Sequence, residues 1–152
     1  MWGIDMRFVC ARRGELWYVT LYGDFEIEAA KRAYGAILEA CTDGGRCRAL
    51  LDCRRVDGSP TTVERYDFGE HVARENAAFQ ESGRATLLQV ALLGDVPLLD
   101  ERRFGQVVAT NRGAFVKATA GMDEALRWLG FSPSGDPLMA GAGSGETLPT
   151  VP

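Results

Sequence analysis

The chain has 152 residues, 46% of them hydrophobic and 25% charged, with a formal net charge of −4. That suits one domain with a self-sufficient core. It disfavours a nucleic-acid binder, because the arginines fall in scattered pairs (Arg12-Arg13, Arg54-Arg55, Arg102-Arg103), each near a carboxylate, with no basic stripe.

No apolar run approaches the roughly 20 residues of a membrane helix, so no membrane insertion is expected. Met1-Trp2-Gly3-Ile4-Asp5 lacks the basic-then-apolar order of a signal peptide, so the expected location is the cytoplasm.

Arg7 to Ala11 alternates, with Phe8 and Cys10 on one side and Val9 and Ala11 on the other. Arg12 to Glu15 reads as a turn, and Leu16 to Tyr22 is aromatic and branched, so the two runs predict an antiparallel hairpin. Gly23-Asp24 ends the second strand, with Asp24 the expected N-cap of a helix. Ala30, Ala33, Tyr34, Ile37, Leu38 and Cys41 recur at helical spacing, and Gly44-Gly45 stops that helix.

Cys47 to Cys53 reads as a buried strand, because Leu50 and Leu51 are consecutive apolar residues covered on both faces. Thr61-Thr62-Val63-Glu64 matches a capping box. It opens a helix to about Phe79 whose apolar content is Val63, Tyr66, Val72, Ala73, Ala77 and Phe79, closed by Gly83. Ala85 to Leu93 predicts a further central strand, ended by Gly94-Asp95. A helix capped by Asp95 follows, with Pro97 in its first turn and Phe104, Val107 and Val108 on its buried face, closing at Asn111-Arg112-Gly113. Ala114 to Thr119 reads as an edge strand, and Met122, Ala125, Leu126 and Leu129 line a last short helix.

The expected architecture is therefore α/β: a mixed, mostly parallel five-stranded sheet that opens with a β-hairpin and has helices packed on it. Residues 1–131 form the expected domain. Residues 132–152, rich in Gly, Pro, Ser and Thr, form a tail expected to be disordered. The four cysteines, Cys10, Cys41, Cys47 and Cys53, lack paired C-x-x-C spacing and have one histidine for company, so they are expected to be buried thiols in a reducing compartment, with no metal bound.

In this order the motifs resemble the SpoIIAA-like group of the STAS fold (sulphate transporter and anti-sigma factor antagonist). The matching features are the opening hairpin, Leu50-Leu51-Asp52 before a variable loop, Ala91-Leu92-Leu93-Gly94-Asp95, Arg103-Phe104, Asn111-Arg112-Gly113, and Asp123-Glu124-Ala125-Leu126-Arg127-Trp128-Leu129. They span roughly residues 6 to 131. The resemblance implies a bacterial, non-enzymatic regulatory module that binds a protein partner and needs no cofactor. In anti-sigma factor antagonists a serine or threonine at the start of the helix after the central strand is phosphorylated by a partner kinase. The equivalent region here holds Asp57, Ser59, Thr61 and Thr62. The usual acceptor sequence is Asp-Ser-Ser/Thr-Gly, and this chain departs from it with Asp57-Gly58-Ser59-Pro60.

In an open α/β sheet, functional groups gather beyond the carboxyl ends of the strands. Those ends carry Asp24, Asp57 to Thr62, Asp95 and Thr119 to Gly121. Helix N-termini gathered there would suit an anion, so the alternative function is binding of a small anionic or apolar metabolite, with Asp24 and Asp95 on the rim. The simpler role of Asp24, Thr61 and Asp95 is as caps. His71, flanked by Asp67 and Glu75, and Cys53 near the rim are the residues from which catalysis would have to be built. A solvated helix face and a buried thiol account for them more simply. In the hairpin, Trp17, Val19 and Leu21 share one face and Tyr18, Thr20 and Tyr22 the other. Such an aromatic surface suits a homodimer or partner contact, and equally a face covered by helices.

Overall fold

The computed structural model describes residues 5–41, 45–83 and 87–132. The expected tail lies outside the described residues apart from its first position, and so do Gly44, Ala85 and Thr86. The elements run β1 (Arg7–Arg13), β2 (Leu16–Asp24), α1 (Ile27–Ala40), β3 (Arg46–Asp57), α2 (Thr62–Ser82), β4 (Leu87–Leu93), α3 (Phe104–Asn111), β5 (Val116–Thr119) and α4 (Met122–Leu129). One five-stranded sheet holds the strands in the order β1-β2-β3-β4-β5. β1 pairs antiparallel with β2, and every other pairing is parallel. This is the mixed, mostly parallel sheet with an opening hairpin, and β5 lies at its edge.

The period of two along each strand divides the core in two. Phe8, Cys10, Val19, Leu21, Ala49, Leu51 and Val90 face the larger cluster, which takes in Tyr34, Ile37, Val72 and Phe79 from α1 and α2. Leu16, Tyr18, Leu50, Ala91 and Leu93 face the other way, onto Ala125, Leu126 and Leu129 of α4. α4 spans eight residues and packs on β3, β4 and β5. Its C-terminus is anchored by Arg48, which donates to the Leu129 carbonyl at 3.0 Å, and by Gln89, whose Nε2 donates to the Trp128 carbonyl at 2.7 Å. A cation at the negative end of a helix dipole is stabilising.

Several expectations change. β3 continues through Asp57, so Asp57 belongs to the ladder rather than to a loop. Asp24 also stays in its strand, as the register partner of Asp57, so it does not cap α1; Glu26 takes that position without a side-chain cap. Asp95 caps no helix either. Its carboxylate accepts the neighbouring Val96 N–H at 2.7 Å, and the chain runs in turns past a cis Val96–Pro97 bond. The helix starts at Phe104, whose N–H donates to Asp100 at 3.0 Å. Val107 is exposed, although it was expected on the buried face of its helix; of the apolar content of α2, Val63, Tyr66 and Ala77 are exposed, and its buried residues are Gly69, Val72, Ala73, Asn76 and Phe79.

Cys41 and Cys47 are paired as a disulfide, their Cα atoms 5.8 Å apart, so they are not the free thiols that the sequence led us to expect. Cys10 and Cys53 are free thiols, both buried, as expected.

The capping box at Thr61 is present in both directions. Thr61 Oγ1 accepts the Glu64 N–H at 3.1 Å, and the Glu64 carboxylate accepts the Thr61 N–H at 2.8 Å. Thr61→Ala removes one half of it and is expected to cost about 1 kcal/mol. Urea unfolding at neutral pH measures that loss; an unchanged midpoint would mean the box contributes nothing here.

Candidate functional site

β2 to β5 run parallel, so their carboxyl ends share one rim. It is laced by the backbone: Phe25 N–H donates to the Asp57 carbonyl at 2.7 Å, and Gly94 N–H to the Thr119 carbonyl at 3.0 Å. Asp57 and Asp95 line one shallow polar groove together with Arg54, Gly58, Pro97 and Ala120. Asp24 is exposed beside Asp57 but does not line that groove.

The segment from Asp57 to Thr62 is held and displayed at once. Pro60 is buried, while Asp57, Ser59, Thr61 and Thr62 are exposed. The Thr61 hydroxyl is committed to its capping box. Among the described residues, the Ser59 and Thr62 side chains accept and donate no hydrogen bond. Gly58 has φ of +126°, and a Cβ there would lie 3.1 Å from Phe25 Cβ. A glycine suits this position, because the chain passes over Phe25 where a side chain would be strained.

The catalytic candidates do not assemble. Burial, and then the Asp52 charge, push the Cys53 thiol up to about 12, which leaves no thiolate at neutral pH. His71 is held below the usual imidazole range chiefly by burial, with Glu75 pulling the other way. Its would-be orienting partner Asp67 accepts instead from Lys31 at 3.0 Å. Among the described residues no group of three His, Cys, Asp or Glu side chains could hold a metal ion.

Two features were missed in the sequence. The first is a polar network on the face of the sheet that α4 packs against. Asp52 is buried, and its carboxylate accepts the Tyr18 hydroxyl at 2.6 Å and the Arg54 guanidinium at 3.0 and 2.9 Å. Arg13 stacks on the Tyr18 ring, 4.3 Å from its centroid. The available signal was an aspartate inside the apolar run Leu50-Leu51-Asp52-Cys53, since carboxylates are rarely buried unpaired. The hairpin faces divide as the alternation required: Trp17, Val19 and Leu21 join the larger cluster, and Tyr18 joins the α4 side. Thr20 and Tyr22, beyond the reach of α4, stay half-buried.

The second feature is an apolar cleft of about 120 Å³ between the larger sheet face and helices α2 and α3. Leu92, Phe68 and Leu98 line it and remain partly accessible although they belong to the core cluster. No single motif encodes it; it arises where α3, starting late at Phe104, leaves the sheet uncovered.

No protein family and no curated protein matches this sequence. Among solved structures, the chain is similar to an anti-sigma factor antagonist from Mycobacterium paratuberculosis, at 16% identity and a TM-score of 0.46, over 82% of this chain and 94% of that one. It is also similar to a DUF3478-family protein with a SpoIIAA-like fold from Shewanella loihica PV-4, at 14% identity and a TM-score of 0.45, over 85% of this chain and 99% of that one. Among the described residues no helix is long and apolar enough to cross a membrane.

Proposed function

We propose that this chain is a STAS-like regulatory module, without catalytic activity of its own, that binds a protein partner through the rim segment from Asp57 to Thr62. One observation carries the reading. The segment is fixed at both ends, by the Phe25–Asp57 backbone bond and by the Thr61 capping box, yet it presents the Ser59 and Thr62 hydroxyls to solvent. Such a surface needs little ordering on binding, which lowers the entropic cost of association.

It is also placed for control by charge. Thr62 is the first residue of α2, where the helix dipole and free N–H groups favour a phosphate, whereas Thr61 is occupied by its cap. Modification is therefore expected on Ser59 or Thr62 and not on Thr61. The test is capture of partners from the native lysate by the full chain and by a Ser59→Asp, Thr62→Asp double variant. A partner held by the parent chain and lost at least about tenfold by the variant is expected, since like-charge or desolvation penalties of that size are ordinary at an interface. Equal capture by both proteins, each shown to be folded, would move the interface away from this segment. Intact-mass analysis adds a separate reading: a phosphate-sized increment on Thr61 alone would contradict the assignment.

A further inference from the structure

We infer that the outer edge of β1 is a docking site for an extended segment of another protein, one that joins the sheet as a further strand and brings carboxylates to Arg12 and Arg13. The site is built from residues outside the rim segment and stands or falls independently of it.

β1 is an edge strand with β2 as its neighbour on the inner side. The opposite edge, β5, spans four residues and carries Lys117, a usual guard against pairing. β1 spans seven, with no proline and no shift in register against β2. Arg13 and Leu16 close the two-residue turn Gly14-Glu15, and the pair that closes such a turn is hydrogen-bonded. The ladder alternates, so Arg7, Val9, Ala11 and Arg13 turn their backbone groups toward β2, while Phe8, Cys10 and Arg12 turn theirs outward. Among the described residues no other backbone group meets these three. An added strand would take them up: main-chain bonds give such a contact its affinity, and side chains its specificity.

The charges along the edge select the segment. β1 holds Arg7, Arg12 and Arg13 and no carboxylate, in a chain whose net charge is −4. Among the described residues none of the three is in an ion pair. At the turn end the nearby Glu15 is already matched, accepting from Arg48 at 3.1 Å. Asp5 and Asp24 lie past the other end, beyond Arg7 and its register partner Tyr22. Arg12 lies over the Trp17 ring at 5.4 Å and Arg13 over the Tyr18 ring at 4.3 Å, on opposite faces of the sheet. Both guanidinium groups are thus drawn back over β2, which leaves the outward backbone of β1 clear. Two consecutive carboxylates on an added strand, one for each face, would meet them. Farther along, Val9 and Ala11 share the face of Arg13 and suit apolar side chains opposite. A second copy of this chain fits less well, since its own β1 has no carboxylate to offer.

The test uses the full chain and two synthetic peptides, Glu-Glu-Val-Thr-Val-Glu-Glu and Lys-Lys-Val-Thr-Val-Lys-Lys, whose symmetric charges suit either strand direction. Amide chemical-shift titration and amide hydrogen exchange report binding. The acidic peptide is expected to give saturable shifts centred on β1 and to slow exchange at Phe8, Cys10 and Arg12. The basic peptide should bind at least about tenfold more weakly, because attractive cross-strand pairs become repulsive ones. Arg12→Gln combined with Arg13→Gln should weaken the acidic peptide about threefold or more and narrow its lead over the basic one. Four results would overturn the assignment: no saturable shift with the acidic peptide at millimolar concentration, equal affinity for the two peptides, unchanged exchange of the three amides at saturation, or slow exchange there before any peptide is added. The last would show the edge already taken, by a second copy if the protein sediments as a dimer and by the chain itself if it does not. None of these results bears on partner capture through Ser59 and Thr62, so the two proposals fail separately.

Discussion

Gly69→Ala is expected to destabilise the fold by about 2 kcal/mol, while the chemically identical change Gly35→Ala stabilises it by about 0.5–1 kcal/mol. Both glycines lie inside helices, Gly35 in α1 and Gly69 in α2. Helix propensity alone favours alanine at each, because glycine loses more backbone freedom on folding. What separates them is the space a methyl group would enter. A Cβ at Gly35 meets nothing within 4 Å. A Cβ at Gly69 would lie 2.5 Å from the carbonyl oxygen of Gly105 and 3.0 and 3.1 Å from Cβ and Cγ1 of Val108. A backbone carbonyl cannot rotate aside as a flexible side chain can, so α2 and α3 must separate and the contacts at their crossing are lost. Gly105→Ala is a milder case, with its nearest atom, the Arg65 carbonyl oxygen, at 3.3 Å. Denaturant unfolding of the three variants measures all this directly. If Gly69→Ala proved as stabilising as Gly35→Ala, the helices would not be in contact at this point.

Asp52→Ala is expected to cost about 2–4 kcal/mol, through loss of acceptors rather than of hydrophobic packing. The substitution leaves the buried Tyr18 hydroxyl with no acceptor, which by itself costs about 1–3 kcal/mol. It also frees Arg54, but that side chain is 53% exposed, so its share is discounted for solvent screening. Tyr18→Phe removes the orphaned group along with its partner. The double variant should therefore be less destabilised than the sum of the singles, and additive costs would show that the two side chains are not coupled.

The network also predicts a pH dependence. Burial alone would raise the Asp52 pKa, but the bonds from Arg54 and Tyr18 outweigh it and hold the carboxyl below its usual value. A carboxyl depressed in the folded state binds fewer protons than in the unfolded chain. Its stabilisation is thus present above the unfolded value of about 4 and is lost as pH falls through the lower folded value. Tyr18 is affected in the opposite sense: burial, and then the bond to Asp52, push it up to about 12. In Asp52→Asn the acid-side slope due to this group should vanish while the dependence from other carboxylates remains. An unchanged slope between pH 5 and pH 2 would show that Asp52 is not the group responsible.

The succession of strands and helices, the faces of the strands and one cap were legible in the residues alone, because these depend on neighbours a few positions apart. Period two in Leu16 to Tyr22 placed Val19 and Leu21 opposite Tyr18, and the consecutive Leu50 and Leu51 required cover on both sides of β3. Thr61 and Glu64, three residues apart, found each other as a capping box. Hence the mixed sheet with its opening hairpin was legible in the sequence.

The rest followed from contacts between distant segments. Asp24 and Asp95 are sound caps by residue type, but strand pairing with β3 holds the first in the sheet and the turns after β4 keep the second from reaching a helix. Cys41 and Cys47 pair with each other, which their spacing does not reveal. The Asp52 network joins residues 34 positions apart, and it exists because β2 lies beside β3. The cleft is lined by residues from β3, α2, β4, α3 and β5, which only the closed fold brings together. Local pattern is set by bonds and dihedrals that every short segment carries with it. Which donor is left without an acceptor depends on what distant segments bring to it, and that is settled only when the whole core closes.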